Sequence, residues 1–281
     1  MGKRIACICG KPGRVQHTRM KFLRDNYLPY LDVYADDVPD LKKYDVVYFS
    51  HYSLAKKVKF DGKRKMLASV TSHKYDKKEL GKFDRISVNN RILLKELAEF
   101  NPVLTENGVD TKFWTPPKGS HSRGGYGWVG NGNRRAKRIG WIRRVESALS
   151  GGPASGICGL KPNVKCRIIS TSKSSKSLPY TPEEMRDFYR GIVGLVVTSE
   201  SEGTPNPALE AMACGAYVIS TPVGNMVNID KVLLYRNVEQ LCYWLGRIPR
   251  HDSDVMRNEM VDNWDWSIKY MAWDNFFKEW L

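Results

Sequence analysis

The sequence predicts an α/β fold of two domains, each built around a parallel β-sheet. Short apolar runs rich in β-branched residues alternate with segments of helical periodicity, which is the pattern of βαβ units. A Pro-, Gly- and Ser-rich segment at residues 115–125 interrupts this alternation, which then restarts. The length of 281 residues also corresponds to about two domains of roughly 150 residues.

The first half of the chain contains apolar runs that we predict to be strands. They are Lys3–Cys9, Asp45–Ser50, Lys65–Thr71 and Arg85–Val88. In the segment that follows, Asn90–Phe100, apolar residues recur at helical spacing. We therefore predict an N-terminal Rossmann-like domain over residues 1–114.

The second half repeats the pattern of alternating strands and helices. The predicted strands are Tyr126–Val129, Lys165–Ser170, Gly194–Thr198 and Tyr217–Ser220, and the predicted helices are Lys137–Leu149, Pro182–Tyr189 and Pro205–Cys214. Thr181 is a suitable N-cap for the helix that begins at Pro182, and Gly215 is a suitable stop after the last of these helices. We predict a second Rossmann-like domain over residues 115–262, followed by an aromatic-rich helix at residues 263–281.

The chain is strongly basic, with 45 Lys and Arg against 30 Asp and Glu and a formal net charge of +15. Such a charge attracts nucleic acids, anionic membranes or phosphorylated substrates, although a merely solvated basic surface has the same composition. No apolar run reaches the roughly 18 residues of a membrane-spanning helix, and the apolar start is too short for a secretory signal. We expect a cytoplasmic protein, with peripheral attachment to a membrane as an alternative.

The segment Thr198–Gly224 contains the residues best suited to chemistry. Here a strand ends, a Gly-Thr-Pro loop turns, and a helix begins at Pro205. Glu202 lies just before this helix and Glu210 lies inside it, with seven residues between them. Because the start of a helix attracts anions, the loop is suited to a diphosphate.

Two carboxylates beside a diphosphate site indicate a nucleotide sugar as the ligand. Such a molecule has one vicinal diol on its sugar and one on its ribose, and a carboxylate can accept hydrogen bonds from both hydroxyls of a diol. Glu202 and Glu210 can therefore hold the two ends of the molecule. The simpler alternatives are a capping carboxylate for Glu202 and a solvated helix residue for Glu210.

The wider segment resembles the family 4 retaining glycosyltransferases, which have the GT-B fold. Their donor site carries an E-G-x-P element followed by E-A-x-A-x-G, which matches Glu202–Pro205 and Glu210–Gly215 here. Tyr217 stands where the family pattern has proline. The resemblance implies a catalytic role for Glu202 and a donor site formed by Gly203, Thr204, Pro205, Asn206 and Glu210.

Further elements follow the order of the family. Residues 107–113, N-G-V-D-T-K-F, are similar to the element that leads out of the N-terminal domain. Residues 128–137 resemble a V-G-R…K-G element, which implies that Lys137 is catalytic and that Arg134, or its neighbour Arg135, binds the donor in place of the usual arginine. Gly224 ends a T-P-V-G element that resembles a donor-binding loop. Basic residues that only coat a helix are the alternative.

In the N-terminal half, His73 ends the sequence S-V-T-S-H, which resembles a strand end that carries a histidine near the transferred sugar. The resemblance implies a catalytic role for His73, while His51 follows another strand and is a competitor. Gly10 and Gly13 follow the first strand, where the family has a glycine loop, so Gly10 is a candidate donor-binding residue. An ordinary loop histidine and an ordinary turn glycine are the alternatives.

The resemblance implies an enzyme with two Rossmann-like domains facing a cleft, of which the N-terminal one is reduced and binds the acceptor. It implies hexosyl transfer from a nucleoside-diphosphate sugar to an acceptor hydroxyl, with retention of configuration. The family implies no metal and no cofactor beyond the nucleotide sugar as co-substrate, because Lys137 and helix N–H groups stabilise the leaving group. The last helix, residues 263–281, is expected to pack back on the N-terminal domain.

The sequence leaves the acceptor open. The family resemblance favours a saccharide or a lipid-linked saccharide. Seven Arg and Lys against one acidic residue between residues 123 and 146 also permit a DNA-modifying glycosyltransferase that acts on a hydroxymethylated base. A non-catalytic nucleic-acid-binding protein on the same scaffold is a further alternative. Glu202 and Glu210 argue against it, since such a protein has no use for carboxylates that bind diols.

Overall fold

The computed structural model describes residues 3–119, 123–149, 166–170, 180–248 and 253–281. The chain forms two compact units: unit 1 comprises Met1–Asn107 and Ser267–Leu281, and unit 2 comprises Gly108–Trp266. The division falls ahead of the Pro- and Gly-rich segment, because Val109 already pairs with Asp265 inside unit 2 in a parallel bridge.

Among the residues described, unit 1 contains a six-stranded sheet in which neighbouring strands are parallel. Its strands are β1 (Ile5–Cys9), β2 (Leu31–Ala35), β3 (Val46–Phe49), β4 (Lys65–Val70), β5 (Arg85–Val88) and β6 (Val103–Leu104). Their order in the sheet is β2-β1-β3-β4-β5-β6. The helices between these strands are α1 (Val15–Asn26), α2 (Lys77–Leu80) and α3 (Arg91–Glu96).

Unit 2 has a second parallel sheet, with five strands in the part of the chain that the structure describes. The strands are β7 (Tyr126–Gly130), β8 (Cys166–Ser170), β9 (Gly194–Val197), β10 (Tyr217–Ser220) and β11 (Leu233–Leu234). Their order is β11-β10-β9-β7-β8. The helices are α4 (Ile139–Leu149), α5 (Pro182–Gly191), α6 (Asn206–Ala213), α7 (Val238–Leu245) and α8 (Ser253–Glu259).

The central strands are apolar along their whole length because parallel sheets are covered on both faces. In unit 1, β1 and β3 are fully buried, and in unit 2 the same is true of β9 and β10. Helix α6 contacts β9 and β10, and small side chains allow it to pack closely. Its buried residues are Ala208, Leu209, Ala211, Met212 and Ala213.

The last helix of the chain, α9 (Trp266–Lys278), packs within unit 1 through aromatic side chains. The ring centroid of Phe277 lies 5.0 Å from that of Tyr48. The Nε1 of Trp273 donates a hydrogen bond of 3.0 Å to the carbonyl oxygen of Glu106. The guanidinium of Arg19 lies 4.8 Å from the centroid of the Trp273 ring. These contacts place the end of the chain in the same unit as its beginning.

The predicted α/β fold with two parallel sheets is confirmed, and the predicted strands agree with the observed ones to within one or two residues at each end. Sequence analysis did not identify the helices α1, α2, α7 and α8 or the strands β2, β6 and β11. In the described ranges, no helix is both long enough and apolar enough to cross a membrane.

Candidate functional site

The carboxyl ends of β7, β9 and β10 meet at one edge of the unit 2 sheet, because these strands are parallel neighbours. Backbone hydrogen bonds join the loops that follow them. The amide of Glu200 donates to the carbonyl oxygen of Ala136 (2.7 Å), and the amide of Asn225 donates to that of Gly203 (3.2 Å). Open parallel sheets bind ligands at this edge. We define the candidate site by the three loops at residues 131–138, 198–205 and 221–225.

Lys137 and Glu202 form an ion pair at this edge. The Nζ of Lys137 contacts Oε1 of Glu202, and the hydroxyl of Ser199 donates a hydrogen bond of 2.7 Å to the same oxygen. The side chains are 22% and 18% exposed, so both charges are within reach of a ligand. Two residues that the sequence predicts to be catalytic, 65 positions apart in the chain, are thus in direct contact.

The backbone around Lys137 is fixed to the end of β9. The hydroxyl of Thr198 donates to the carbonyl oxygen of Lys137 and accepts a hydrogen bond of 2.9 Å from Nε1 of Trp128. The next residue, Arg138, has a left-handed backbone with φ +47° and pairs with Glu200 at 2.9 Å. Because this turn is bonded on both sides, the ammonium of Lys137 extends from a rigid base.

The loop between Glu202 and α6 packs against the loop that follows β10. Gly224 has φ +49°, and a Cβ at this position would lie 1.9 Å from the carbonyl oxygen of Gly203. Only glycine fits there, since both the backbone angle and the close approach exclude a side chain. The amide nitrogen of the Asn225 side chain donates to the hydroxyl of Thr204 at 2.9 Å.

Helix α6 begins after Pro205, which has no side-chain donor or acceptor and so provides no N-cap hydrogen bond. Just before this start, the carboxylate of Glu202 pairs with Lys137 and accepts a hydrogen bond from Ser199. The predicted donor-binding residues Gly203, Thr204, Pro205, Asn206 and Gly224 lie together around the start of α6. A helix start carries partial positive charge, so these residues border a position that favours an anion.

Glu210 lies one turn further along α6, is half-buried, and contacts α5. The hydroxyl of Tyr189, which is fully buried, donates a hydrogen bond of 3.0 Å to Oε2 of Glu210. Burial raises the pKa of Glu210 from 4.5 to about 7, although the Tyr189 hydrogen bond opposes this shift. Glu210 is therefore a titrating carboxyl group near neutral pH, and not a solvated helix residue.

Arg134 lies in the same loop as Lys137 but outside the ion-pair network. Its amide donates to the carbonyl oxygen of Asn131 at 3.0 Å, and its guanidinium makes no hydrogen bond or ion pair with the residues that the structure describes. The side chain is exposed. In the described ranges, no three His, Cys, Asp or Glu side chains form a group that could hold a metal ion.

The predicted site residues of the N-terminal half lie in unit 1, at the carboxyl edge of its own sheet. Gly10 follows β1 directly. His51 follows β3 and places Nδ1 2.7 Å from the hydroxyl of Ser53, and burial lowers its pKa. His73 follows β4 and places Nδ1 3.0 Å from Oε2 of Glu96. Each histidine thus has a local polar partner.

Sequence analysis missed Ser199 and Tyr189, which hold the two carboxylates of the candidate site. Ser199 lies three residues before Glu202, and serine at that distance carries no distinctive signal. Tyr189 belongs to α5, whose contact with α6 is a product of tertiary packing. Both residues are positioning residues that became visible only in three dimensions.

Comparison with known proteins gives one family match, on unit 2. Residues 154–244 match the family described as glycosyl transferases group 1. This range includes β9, α6 and both carboxylates. No curated protein matches the chain.

Solved structures similar to this chain share its fold over nearly its whole length. Sucrose-phosphate synthase from Thermosynechococcus elongatus is 12% identical, with a TM-score of 0.67 and 99% of each chain covered. The apo form of the lipopolysaccharide outer core galactosyltransferase WaaB is 14% identical, with a TM-score of 0.67 and 99% of this chain and 100% of that chain covered. Anabaena HepE in complex with UDP and glucose is 11% identical, with a TM-score of 0.68 and 98% and 100% covered. At these identities the likeness shows the GT-B fold.

Proposed function

Taking the chain as a group 1 glycosyltransferase of the GT-B fold, we propose that unit 2 binds a nucleoside-diphosphate sugar whose sugar is transferred to an acceptor hydroxyl with retention of configuration. The observation that carries the proposal is the Lys137–Glu202 ion pair beside the start of α6. It joins the loop after β7 to the loop after β9, and it brings together one cation suited to a diphosphate and one carboxylate suited to a sugar diol.

The diphosphate is proposed to lie between Lys137 and the start of α6. The ammonium and the partial positive charge of the helix both favour the oxygens of the leaving group, whose negative charge increases as the glycosidic bond breaks. The exposed guanidinium of Arg134 can add a second cation from the same loop. We propose that transfer proceeds in this way without a bound metal. Activity that survives chelation with EDTA would support this part of the proposal, and activity that requires added metal would contradict it.

Donor binding is proposed to exchange the partners of the ion pair. The ammonium of Lys137 turns to the diphosphate, and the carboxylate of Glu202 turns to hydroxyls of the transferred sugar. Each group keeps a charge-assisted hydrogen bond before and after the exchange, so neither charge is left buried without a partner. Ser199 remains on Glu202 and holds the carboxylate during the exchange.

Glu210 is proposed to accept hydrogen bonds from the ribose diol. Ionised, it offers two acceptor oxygens; protonated, it loses part of that capacity. Because its pKa in the protein without ligand is about 7, binding of the diol favours the charged form and lowers that pKa. Donor affinity is therefore linked to pH near neutrality.

The acceptor is proposed to be a saccharide or a lipid-linked saccharide. His73 is proposed to hydrogen-bond a sugar hydroxyl near the reacting centre. The solved structures support this choice of acceptor: one neighbour is an outer core galactosyltransferase for lipopolysaccharide, and another was solved with UDP and glucose. The anomeric configuration of the product, read by NMR, tests retention.

The test is an assay of nucleoside diphosphate release from a panel of nucleotide sugars, with and without oligosaccharide acceptors. We expect at least one donor to be hydrolysed slowly alone and faster with an acceptor. Lys137→Ala should lower kcat by about 100- to 1000-fold, because it removes a charge that acts on the leaving group.

The matched control is Lys112→Ala, which removes an exposed lysine of the same unit away from the site. It should keep full activity, and both variants should keep the far-UV circular dichroism spectrum of the parent protein. Full activity of Lys137→Ala, or release from no donor in the panel, would overturn the proposed function.

A further inference from the structure

A cavity lies in unit 2, beside the ends of β10 and β11. Its volume is about 340 Å³, which is within the range of small-ligand sites. It is lined by Pro222, Leu234, Arg236, Gln240, Tyr243 and Trp244. Apart from Pro222, which belongs to the loop at residues 221–225, these residues lie outside the candidate site.

One wall of the cavity is aromatic and exposed. The side chain of Tyr243 is 49% exposed, and its ring packs edge-on against Trp244, with centroids 5.2 Å apart and an angle of 79°. The Nε1 of Trp244 donates a hydrogen bond of 3.0 Å to the carbonyl oxygen of Leu234, which fixes that ring against the edge strand β11. The two rings, which are nearly perpendicular, form an apolar surface, here called the platform, that folding leaves in contact with water.

Polar and cationic side chains lie beside the aromatic wall of the cavity. The guanidinium of Arg236 makes no hydrogen bond or ion pair with the part of the chain that the structure describes. Gln240 uses Oε1 to accept a hydrogen bond of 2.7 Å from the amide of Arg236, which leaves its NH2 group available to donate. The guanidinium of Arg247 lies 3.8 Å from the centroid of the Tyr243 ring and adds a second positive charge at the platform.

The cavity and the donor site share one loop. Pro222 lines the cavity, and Gly224, two residues later, is the glycine that abuts Gly203 in the donor site. Asn225, from the same loop, donates to Thr204. The cavity and the candidate site therefore border the same loop, residues 221–225.

We propose that the cavity binds an anionic saccharide, as a remote part of the acceptor chain. A sugar ring has an apolar C–H face that packs on aromatic rings, and it has hydroxyls that pair with planar polar groups such as the Gln240 amide. A carboxylate or sulfate on the saccharide would pair with the planar guanidinium of Arg236 in two parallel hydrogen bonds. The role as an acceptor subsite rests on the proposed function; the binding of the saccharide does not.

Titration calorimetry with defined oligosaccharides tests this proposal. The probes are a hyaluronan octasaccharide, which carries carboxylates, a heparin hexasaccharide, which carries sulfates, and neutral maltohexaose. We expect one of the anionic probes to bind more tightly than maltohexaose. Tyr243→Ala and Arg236→Gln should each weaken that binding by about tenfold, which is the effect of losing a charge-assisted contact or a stacked ring.

Tyr180→Ala is the matched control, since Tyr180 is another exposed tyrosine of unit 2, 39% exposed, and does not line the cavity. It should leave oligosaccharide binding unchanged. Nucleotide-sugar affinity should be the same in all three variants and in the parent protein, so that a failed donor site and a failed cavity are told apart.

Three results would overturn the proposal. The first is that neither anionic oligosaccharide binds the parent protein. The second is that binding occurs but is insensitive to both Tyr243→Ala and Arg236→Gln. The third is that the single-stranded DNA octathymidylate binds more tightly than either anionic oligosaccharide and loses affinity in both variants. The platform would then be a surface that stacks nucleobases.

Discussion

Glu202 and Glu210 come from one short sequence element, yet they have opposite surroundings. Glu202 lies in a loop, a fifth exposed, in contact with a cation and a serine hydroxyl. Glu210 lies inside a helix against the neutral hydroxyl of Tyr189, and burial raises its pKa to about 7. Two carboxylates of the same sequence motif therefore have different chemical properties in the folded protein. The first carboxylate is paired with a cation, and the second can gain or lose a proton as a ligand binds.

The largest effect on kcat is expected when the ion pair between Lys137 and Glu202 is removed. Glu202→Gln and Lys137→Ala should each lower kcat by about 100- to 1000-fold. The double variant should lower kcat little further than either single change, because the two groups act as a unit. Single-turnover kinetics on the four proteins of the cycle measure this coupling. If the two changes in activation free energy are additive, the residues act independently, and the proposed coupling between Lys137 and Glu202 is wrong.

Gly224→Ala should have the next largest effect, since it changes the loop that borders Glu202. The new Cβ would meet the carbonyl oxygen of Gly203 at 1.9 Å, so the loop must move. We expect a loss of unfolding free energy of about 3 kcal/mol together with weaker donor binding. Chemical denaturation and calorimetry measure the two quantities.

Gly119→Ala is the control for Gly224→Ala. Gly119 also has a positive φ, +77°, but its Cβ would meet nothing within 4 Å. Its substitution should cost only the backbone strain, and donor affinity should not change. An equal loss in both variants would mean that strain alone, and not the approach to Gly203, explains the effect.

The pH dependence of donor affinity tests whether Glu210 must be ionised to bind the donor. Because the pKa of the free carboxyl group is about 7, affinity should rise by up to about tenfold per pH unit below pH 7 and level off above it. Glu210→Gln should bind more weakly, with a flat profile. Calorimetric titrations between pH 5.5 and pH 8.5, about one and a half units on either side of this pKa, measure it. A wild-type profile that is equally flat would remove Glu210 from the diol site.

Stability should respond to the same group with the opposite sign. The folded pKa of about 7 exceeds the ordinary value of 4.5, so the unfolded chain releases a proton that the folded chain retains. The contribution of Glu210 to stability is therefore fully present below pH 4.5 and is lost as pH rises through 7. Relative to the parent protein, Glu210→Gln should gain unfolding free energy over this window.

The smallest effect is expected for Tyr189→Phe. The change removes the hydrogen bond that opposes the rise in the pKa of Glu210, so the midpoint of the affinity profile should move to higher pH. The loss of affinity at neutral pH should be a few-fold, in line with about 1 kcal/mol for one hydrogen bond. Affinity at pH 9 should match that of the parent protein. A uniform loss at every pH would assign Tyr189 a packing role only.

Most of the sheet framework could be predicted because buried parallel strands are continuous apolar runs. Val46–Phe49 and Gly194–Val197 are buried at every position, and both were predicted to within a residue. The helix Val15–Asn26 was missed because most of its residues are polar and it buries only Arg19, Met20 and Leu23. The edge strand Leu31–Ala35 was missed because only its first residue is fully buried, which leaves no apolar run.

The candidate site could be predicted only as far as its motif extends. Glu202, Glu210 and Lys137 follow from the element pattern, but the contact between Lys137 and Glu202 depends on the register of two neighbouring strands. The raised pKa of Glu210 depends on the buried position of Tyr189 in another helix. Local sequence carries neither fact, because both arise when separate segments pack together.

The central claim is that a nucleoside-diphosphate sugar binds around the start of α6, between Lys137 and the two carboxylates. Amide hydrogen exchange followed by mass spectrometry, with and without a saturating nucleotide sugar, locates the bound donor directly. We predict slower exchange in peptides that cover residues 131–138 and 198–213, and unchanged exchange in α7. Protection confined to unit 1 or to residues 233–245, with none in residues 198–213, would contradict the account.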